Sequence, residues 1–299
     1  MLSAILNVDK PRGWTSFDVV KFVRGRCGER RVGHAGTLDP AATGVLPILI
    51  GQATRLTEFL VDTTKTYEAT VELGVVTDTY DAEGDVVARS DASGVTEEQV
   101  RTALAAFAGE IMQAPPVYSA LKQDGVPLYK RARRGETVRA APRPVRVEEL
   151  DIIRFDPPLV KLRVVSGKGF YVRSLAHDLG AALGVGGSLR GLVRSRVGRF
   201  RIEDAVDIET LRGEFESDAW RDRLIAPDEI LLGWRAAILA ADSAQRLLHG
   251  LRATIEPSEG VTIATGDVCR AYSTEGDFLA VLRNEGEKAW RPEKVFASP

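Results

Sequence analysis

The chain has 299 residues, 44% hydrophobic and 27% charged, enough for one large domain or two ordinary ones with real cores. This composition excludes a disordered, collagen-like or disulfide-built protein, and 40 basic against 42 acidic side chains leave a formal charge of only −2. The two cysteines, Cys27 and Cys269, lack any CxxC or Cys/His spacing, which argues against a structural zinc site and fits a reducing compartment, hence an expected cytoplasmic location.

The opening MLSAILNVDKPRG has no basic residue before its short apolar run and no small-residue cleavage site, so the protein is expected to be mature from Met1. No apolar stretch approaches the roughly 18 residues that would span a bilayer, and no membrane partner is expected. The small net charge hides a strong segregation. Residues 10 to 31 are net +5, residues 115 to 146 net +6 and residues 161 to 201 net +8, while 62 to 98 and 202 to 240 each hold ten acids. If the basic windows meet in space they form a trough for a phosphate backbone; otherwise they are three solvated faces. Tyr118, Tyr129, Phe170 and Tyr171, interleaved with the arginines, favour RNA.

In chain order, SFDVVKFVRGRC reads as a helix capped by Ser16, with Val19, Val20, Phe22 and Val23 on one face. TYEATVEL, from Thr66 to Leu73, alternates as a strand does, and TEEQVRTALAAFAGEI reads as a helix opened by a capping box at Thr96 and Gln99. Gln113 to Pro144 holds five prolines and little apolar periodicity, so it reads as a loop-rich basic insertion, a mobile arm or thumb. Val160 to Val165 reads as a second strand, and YVRSLAHDLGAALG as a helix ended by glycine. Beyond Glu229, RLLHGLRATI, DVCRAYST, FLAVLRN and AWRPEKVF read as short strands of a small β domain. Strands and helices do not alternate regularly, so the expected class is α+β, divided into a catalytic domain over 1–230 and a small β domain over 231–299.

The most unusual segment is GHAGTLDPAATGVLP, residues 33–47, whose glycines surround a lone carboxylate, Asp39. Asp followed by Pro is also the usual start of a helix, with Asp39 as N-cap and Pro40 at the first helical position, and residue type alone leans to that reading. Neither this segment nor Gly167-Lys168-Gly169 has P-loop spacing. The three histidines, His34, His177 and His249, show no ligand spacing and no neighbouring nucleophile, so neither a metal site nor a hydrolase triad is expected. Read alone, His34 is as well a turn residue as a wedge, and Tyr67, Tyr171 and Leu192 are ordinary strand or core residues.

Together with LNVDKPRGWTS, KTYEATVELG, PPVYSALKQDGVPLYKRARRGE, GFYVRSLAHDLG and LRGLVRSRVGRF, this segment resembles the TruB family of tRNA pseudouridine synthases, in six ordered blocks spanning residues 6 to 200. The resemblance implies a mixed, largely antiparallel sheet with flanking helices, and the C-terminal β segment resembles the small PUA RNA-binding barrel. It implies Asp39 as the essential aspartate, Tyr67 as the tyrosine stacked on the target base, and Arg173 as the arginine paired with the catalytic carboxylate. Tyr171 and Leu192 then line the uracil pocket, and His34 fills the space left by an everted nucleotide. The implied reaction isomerises the T-arm uridine of tRNA, position 55, with no cofactor and no metal, in an enzyme expected to be a monomer. One carboxylate is compatible with a covalent sugar adduct and with proton abstraction giving a glycal. Gly191 and Arg199 depart from the pattern, standing where a basic residue and a proline are expected. The competing reading of the same basic windows is a non-catalytic RNA-binding or tRNA-folding protein.

Overall fold

A computed structural model describes residues 2–296 apart from 120, 124–125, 129–130, 132–133, 135, 137–139, 257–261 and 287. Its strands are β1 (Ala4–Lys10), β2 (Val32–His34), β3 (Thr43–Ile50), β4 (Lys65–Leu73), β5 (Val75–Thr77), β6 (Val86–Arg89) and β7 (Gly109–Gln113). There follow β8 (Lys122–Gln123), β9 (Val126–Pro127), β10 (Arg143–Asp156), β11 (Leu159–Ser166), β12 (Gly187–Val197), β13 (Phe200–Arg201) and β14 (Val206–Asp207). The C-terminal strands are β15 (Arg235–Ile238), β16 (Ala253–Thr254), β17 (Val268–Tyr272), β18 (Phe278–Gly286) and β19 (Ala289–Val295).

The main sheet has ten strands in the order β14-β1-β3-β12-β4-β11-β10-β7, with β2 on β3 and β13 on β12. Its pairs are antiparallel except β1 with β14 and β3 with β12. This is the α+β arrangement expected from the irregular alternation of elements.

The period-2 pattern of β4 sets the geometry of everything that follows. Ala69, Val71 and Leu73 share one face and pack under the helices Glu97–Leu104 and Val172–Ala182, against Val100, Leu104, Leu175 and Leu179. Lys65 and Tyr67 lie on that same face at the start of the strand, beyond the helices. The β1 and β3 pair is covered on both sides. Leu6, Val8, Leu46 and Ile48 pack under the helices Ser16–Arg24 and Ile208–Ser217, and Ile5, Val45 and Leu49 pack against Leu56, Leu60, Leu231, Val281 and Phe296. Double coverage explains why TGVLPILI is apolar at nearly every position rather than alternating. The C-terminal strands form a five-stranded sheet, β15-β17-β18-β19-β16, curled into half a barrel over Leu239, Leu247, Ala271, Leu282 and Trp290.

Several local expectations are corrected. The first helix spans Ser16–Arg24, but its N-cap is Thr15, which exchanges capping-box bonds with Asp18, because the Ser16 side chain is buried against Leu38. The helix begun at Thr96 ends at Leu104, tightens through Ala105–Phe107 and breaks at Gly109 in the left-handed region, freeing GEIMQ to pair as β7 with β10. RLLHGLRATI is not a strand: Ala241–Leu248 is helical, packing Ala244 and Leu247 under the C-terminal sheet, and only Ala253–Thr254 is extended. Much of the Gln113 to Pro144 insertion lies outside the described residues; within it β8 pairs with β9, and Arg143 and Pro144 already belong to β10.

Gly180, inside the helix Val172–Ala182, lies against the start of β12, where a Cβ would stand 2.1 Å from the Gly187 nitrogen. Gly213, inside Ile208–Ser217, faces open space. Gly180→Ala should therefore lower stability by at least about 2 kcal/mol, whereas Gly213→Ala should raise it by up to about 1 kcal/mol, read by urea denaturation.

Candidate active site

The loop carrying Asp39 is held by side chains from two strands and a helix. The Ser16 hydroxyl donates to the Leu38 carbonyl at 3.1 Å and accepts from the Leu38 N–H at 2.8 Å. Lys10, fully buried at the end of β1, donates to the carbonyls of Pro11, Trp14 and Pro40, and the Gly13 N–H reaches the Pro40 carbonyl at 2.8 Å. From β12, Arg194 donates through Nη2 to the Gly36 carbonyl at 3.0 Å and through Nε to the Val45 carbonyl at 2.8 Å. Gly44 has φ of +105°, and a Cβ there would stand 2.2 Å from the Arg194 carbonyl oxygen, so only glycine lets β3 meet β12. Residues 40–42 form a turn leading straight into β3. No helix follows Asp39, so it is not an N-cap and its carboxylate is released from that duty.

Arg173 comes from the second residue of the helix Val172–Ala182 and is 8% exposed at its side chain. Its Nε meets Asp39 Oδ2 at 3.0 Å, and its Nη1 meets Asp81 Oδ2 at 3.4 Å. Nη1 also donates to the Thr79 carbonyl at 3.3 Å, and Nη2 to the Tyr118 carbonyl at 2.9 Å. Every nitrogen of the guanidinium is engaged. Asp81 is a second carboxylate in a constellation where the sequence reading saw only one. Its other oxygen accepts from the Thr79 hydroxyl at 2.6 Å and from the Glu83 N–H at 3.1 Å.

Asp39, Tyr67, Tyr171, Arg173 and Leu192 line one cavity of about 280 Å³, together with Lys65, Lys168 and Arg194. Gln113 clamps the main chain of Tyr171, accepting from its N–H at 2.8 Å and donating to its carbonyl at 3.0 Å. Tyr67 on β4 stands opposite Arg194 on β12. His34 is not part of this lining. It lies on β2 opposite Ile48, half-buried, with Nδ1 lacking a partner among the described residues. Burial, and then the nearby Arg194 charge, lower its pKa, so the imidazole is neutral at pH 7.

One residue of the first basic window, Lys10, is buried beneath the Asp39 loop, Arg143 of the second lies beside the Tyr171 ring, and Lys168, Arg173 and Arg194 of the third line the cavity. Burial lowers Lys10 and Lys65 to about 8 each, against a weaker opposing pull from Asp39 on Lys10 and with Arg194 adding to the effect at Lys65. The Asp39 carboxylate opens onto the cavity, 43% exposed at its side chain, yet is surrounded by protein rather than bulk water. Desolvation raises its pKa above the ordinary value, Arg173 opposes the rise, Asp81 adds to it and Lys10 opposes it. The guanidinium thus limits the rise without reversing it, because desolvation is the larger influence.

Sequence reasoning missed Asp81, Lys10 and Arg194. Asp81 sits in an acid-rich window that read as charge compensation; the usable signal was Gly84, where a Cβ would stand 2.2 Å from the Thr79 hydroxyl and break the turn. Of the two departures, Arg199 pairs with Glu229 in the segment before the C-terminal sheet. Gly191 lies at a bulge in β12 opposite Thr70.

Residues 24–172 match the family model described as TruB family pseudouridylate synthase (N terminal domain), and 173–233 match that of the tRNA pseudouridylate synthase B C-terminal domain. The chain is 41% identical to tRNA pseudouridine synthase B of Dehalococcoides mccartyi, over 100% of this chain and 98% of that protein. It is 45% identical to the protein of the same name from Ruegeria pomeroyi, over 100% and 97%. Among solved structures, a chain of a Cbf5-Nop10-Gar1 complex aligns with TM-score 0.75 and 25% identity, over 98% of this chain and 85% of that one.

Removing the Arg173 cation leaves desolvation and the Asp81 repulsion opposed only by the weaker pull of Lys10. In Arg173→Met the Asp39 carboxyl should therefore titrate at a higher pH than in the wild type, and the wild-type carboxyl itself above 3.8, followed by carboxyl-carbon NMR.

Proposed function

Because this chain belongs to the TruB family of pseudouridylate synthases, we propose that it isomerises a tRNA uridine to pseudouridine, at the T-arm, with Asp39 as the catalytic carboxylate. The observation that carries the reading is the Asp39 to Arg173 pair, 3.0 Å apart at the wall of a cavity with two aromatic rings and Leu192.

The reaction breaks the N1 to C1′ bond, turns the detached uracil and joins C5 to C1′, with the C5 proton lost to solvent and N1 protonated. Atoms balance without hydrolysis or redox change. The target base must leave its stack to reach the cavity, and stacking on Tyr67, worth about 1–3 kcal/mol, offsets part of the few kcal/mol that extrusion costs. His34, neutral and half-buried, supplies the wedge that fills the vacated space. Asp39 acts on the ribose in its ionised form, while Tyr171 and Leu192 shield the detached base from water. The convergent lysines and arginines give the backbone a positive approach, with the salt dependence such contacts bring. Residues 231–299 serve as a PUA-like RNA-binding unit attached to a catalytic unit over 1–230, and the enzyme works as a monomer in the cytoplasm. Among the described residues no helix is long and apolar enough to cross a membrane.

The test is unmodified tRNA carrying tritium at uracil C5. The wild type should release the label into water and leave RNA mass otherwise unchanged, whereas a glycosylase would free uracil and a non-catalytic RNA-binding protein would release nothing. Asp39→Asn should lower turnover by at least about 10³-fold while tRNA affinity stays within about threefold. Since Asp39 must be ionised and its pKa is raised, activity should be lost as pH falls, along a limb lying above 3.8.

A further inference from the structure

Tyr80 has φ of +66°, in the left-handed region, where a bulky side chain is a genuine outlier and a glycine would sit without cost. Its two chain neighbours are the residues that grip Arg173: the Thr79 carbonyl and the Asp81 carboxylate both face Nη1, at 3.3 and 3.4 Å. The left-handed turn between them brings both oxygens to one nitrogen. The Tyr80 ring in turn stacks on His177, with centroids 3.8 Å apart and planes within 15°. His177 follows Arg173 by four residues, so it lies one turn further along the same helix face. The His177 Nδ1 is buried and has no hydrogen-bond partner among the described residues, so the ring stack rather than a bond at that nitrogen holds the imidazole. The Tyr80 carbonyl accepts from the Leu189 N–H at 2.9 Å, and the Ala82 N–H donates to the Leu189 carbonyl at 3.0 Å, fixing the turn to the edge of β12.

We propose that Tyr80, clamped on His177, is a positioning residue for the reaction: it holds the Thr79 and Asp81 oxygens on Arg173 and so aims the guanidinium at Asp39. A strained backbone is retained at this position because the ring it carries ties the turn to the helix that presents Arg173. Without the ring, the turn keeps its bonds to β12 but loses its side-chain tie to the helix, so Asp81 holds Arg173 less firmly. The inference rests on the proposed isomerisation, in which Asp39 must be ionised. Its consequence is a pH effect. Asp39 is faced by Arg173 from the helix, Asp81 from the turn and Lys10 from the end of β1, with Lys65, Lys168 and Arg194 elsewhere on the cavity wall. Of these, loosening the clamp displaces Arg173 and Asp81, and because Arg173 acts on Asp39 more strongly than Asp81 does, the net effect is a rise in the Asp39 pKa.

The experiment compares single-turnover rates, tRNA affinity and the pH profile of the wild type with Tyr80→Gly, Tyr80→Phe and His177→Leu. Tyr80→Gly relieves the backbone while removing the ring. Its rate should fall about tenfold on the acidic side of the profile and recover as pH rises, with tRNA affinity unchanged. His177→Leu, which removes the stack from the other side, should show the same displacement of the acid limb, and Tyr80→Phe, which keeps the ring, should restore the wild-type profile. A wild-type profile in Tyr80→Gly, or an equal loss at every pH, would overturn the proposal. If the wild type itself releases no tritium, the isomerisation reading fails separately. The clamp is then decided by carboxyl-carbon NMR alone, which should show Asp39 titrating higher in Tyr80→Gly and refutes the clamp if the titration is unmoved.

Discussion

The Arg173 guanidinium, divided between two carboxylates, is the constraint on which the rest of this structure depends. It faces Asp39 through Nε and Asp81 through Nη1, and the main-chain carbonyls of Thr79 and Tyr118 accept from Nη1 and Nη2. A buried guanidinium needs such saturation, since an unpaired charge or donor at that depth is costly. The partners come from three separate segments, the Asp39 loop, the Thr79–Asp81 turn and Tyr118, so these must come together before the group is satisfied. The helix bearing Arg173 is set by its packing on β4 and β12, and the Asp39 loop is set by Ser16, Lys10 and Arg194.

The surroundings also tune the carboxylate. Desolvation raises it most, Arg173 opposes the rise, and Asp81 adds to it. A carboxylate raised by desolvation is a stronger base than an exposed one, which suits either proposed route on the ribose. The surroundings carry more positive than negative charge. Lys10, Lys65 and Arg194 are all buried near the loop, lowered by that burial and bonded to main-chain carbonyls, so they brace the site, while Lys168 on the cavity wall is open to solvent.

How much of this was legible in the sequence differs from element to element. The strand Lys65–Leu73 announces itself by alternation, and the helix Val172–Ala182 by its apolar face and terminal glycine, so the scaffold of the site was readable. The cavity gathers Asp39, Tyr67, Tyr171, Arg173 and Leu192, all of which the family resemblance had named. Residue chemistry alone leaned the other way on Asp39, because Asp-Pro is a good helix start and nothing local reveals that the next residues turn into a strand. Asp81 was hidden for a different reason: its partner lies 92 positions away, and in an acidic window one carboxylate looks like another. Lys10 read as surface charge because burial by three carbonyls is a tertiary property. The C-terminal segment RLLHGLRATI misled because its apolar residues serve a short helix whose leucine is covered only by the curled sheet.

The central claim is that the Asp39 carboxylate, held by Arg173, faces the ribose of an everted uridine. The most direct measurement is a crystal structure with a T-arm hairpin whose target uridine carries fluorine at C5, a substituent that cannot leave as a proton. The nucleotide should lie extruded in the cavity, its base against Tyr67 and its sugar within about 3.5 Å of Asp39. A target base still stacked in the hairpin, or a sugar placed away from that carboxylate, would contradict the claim.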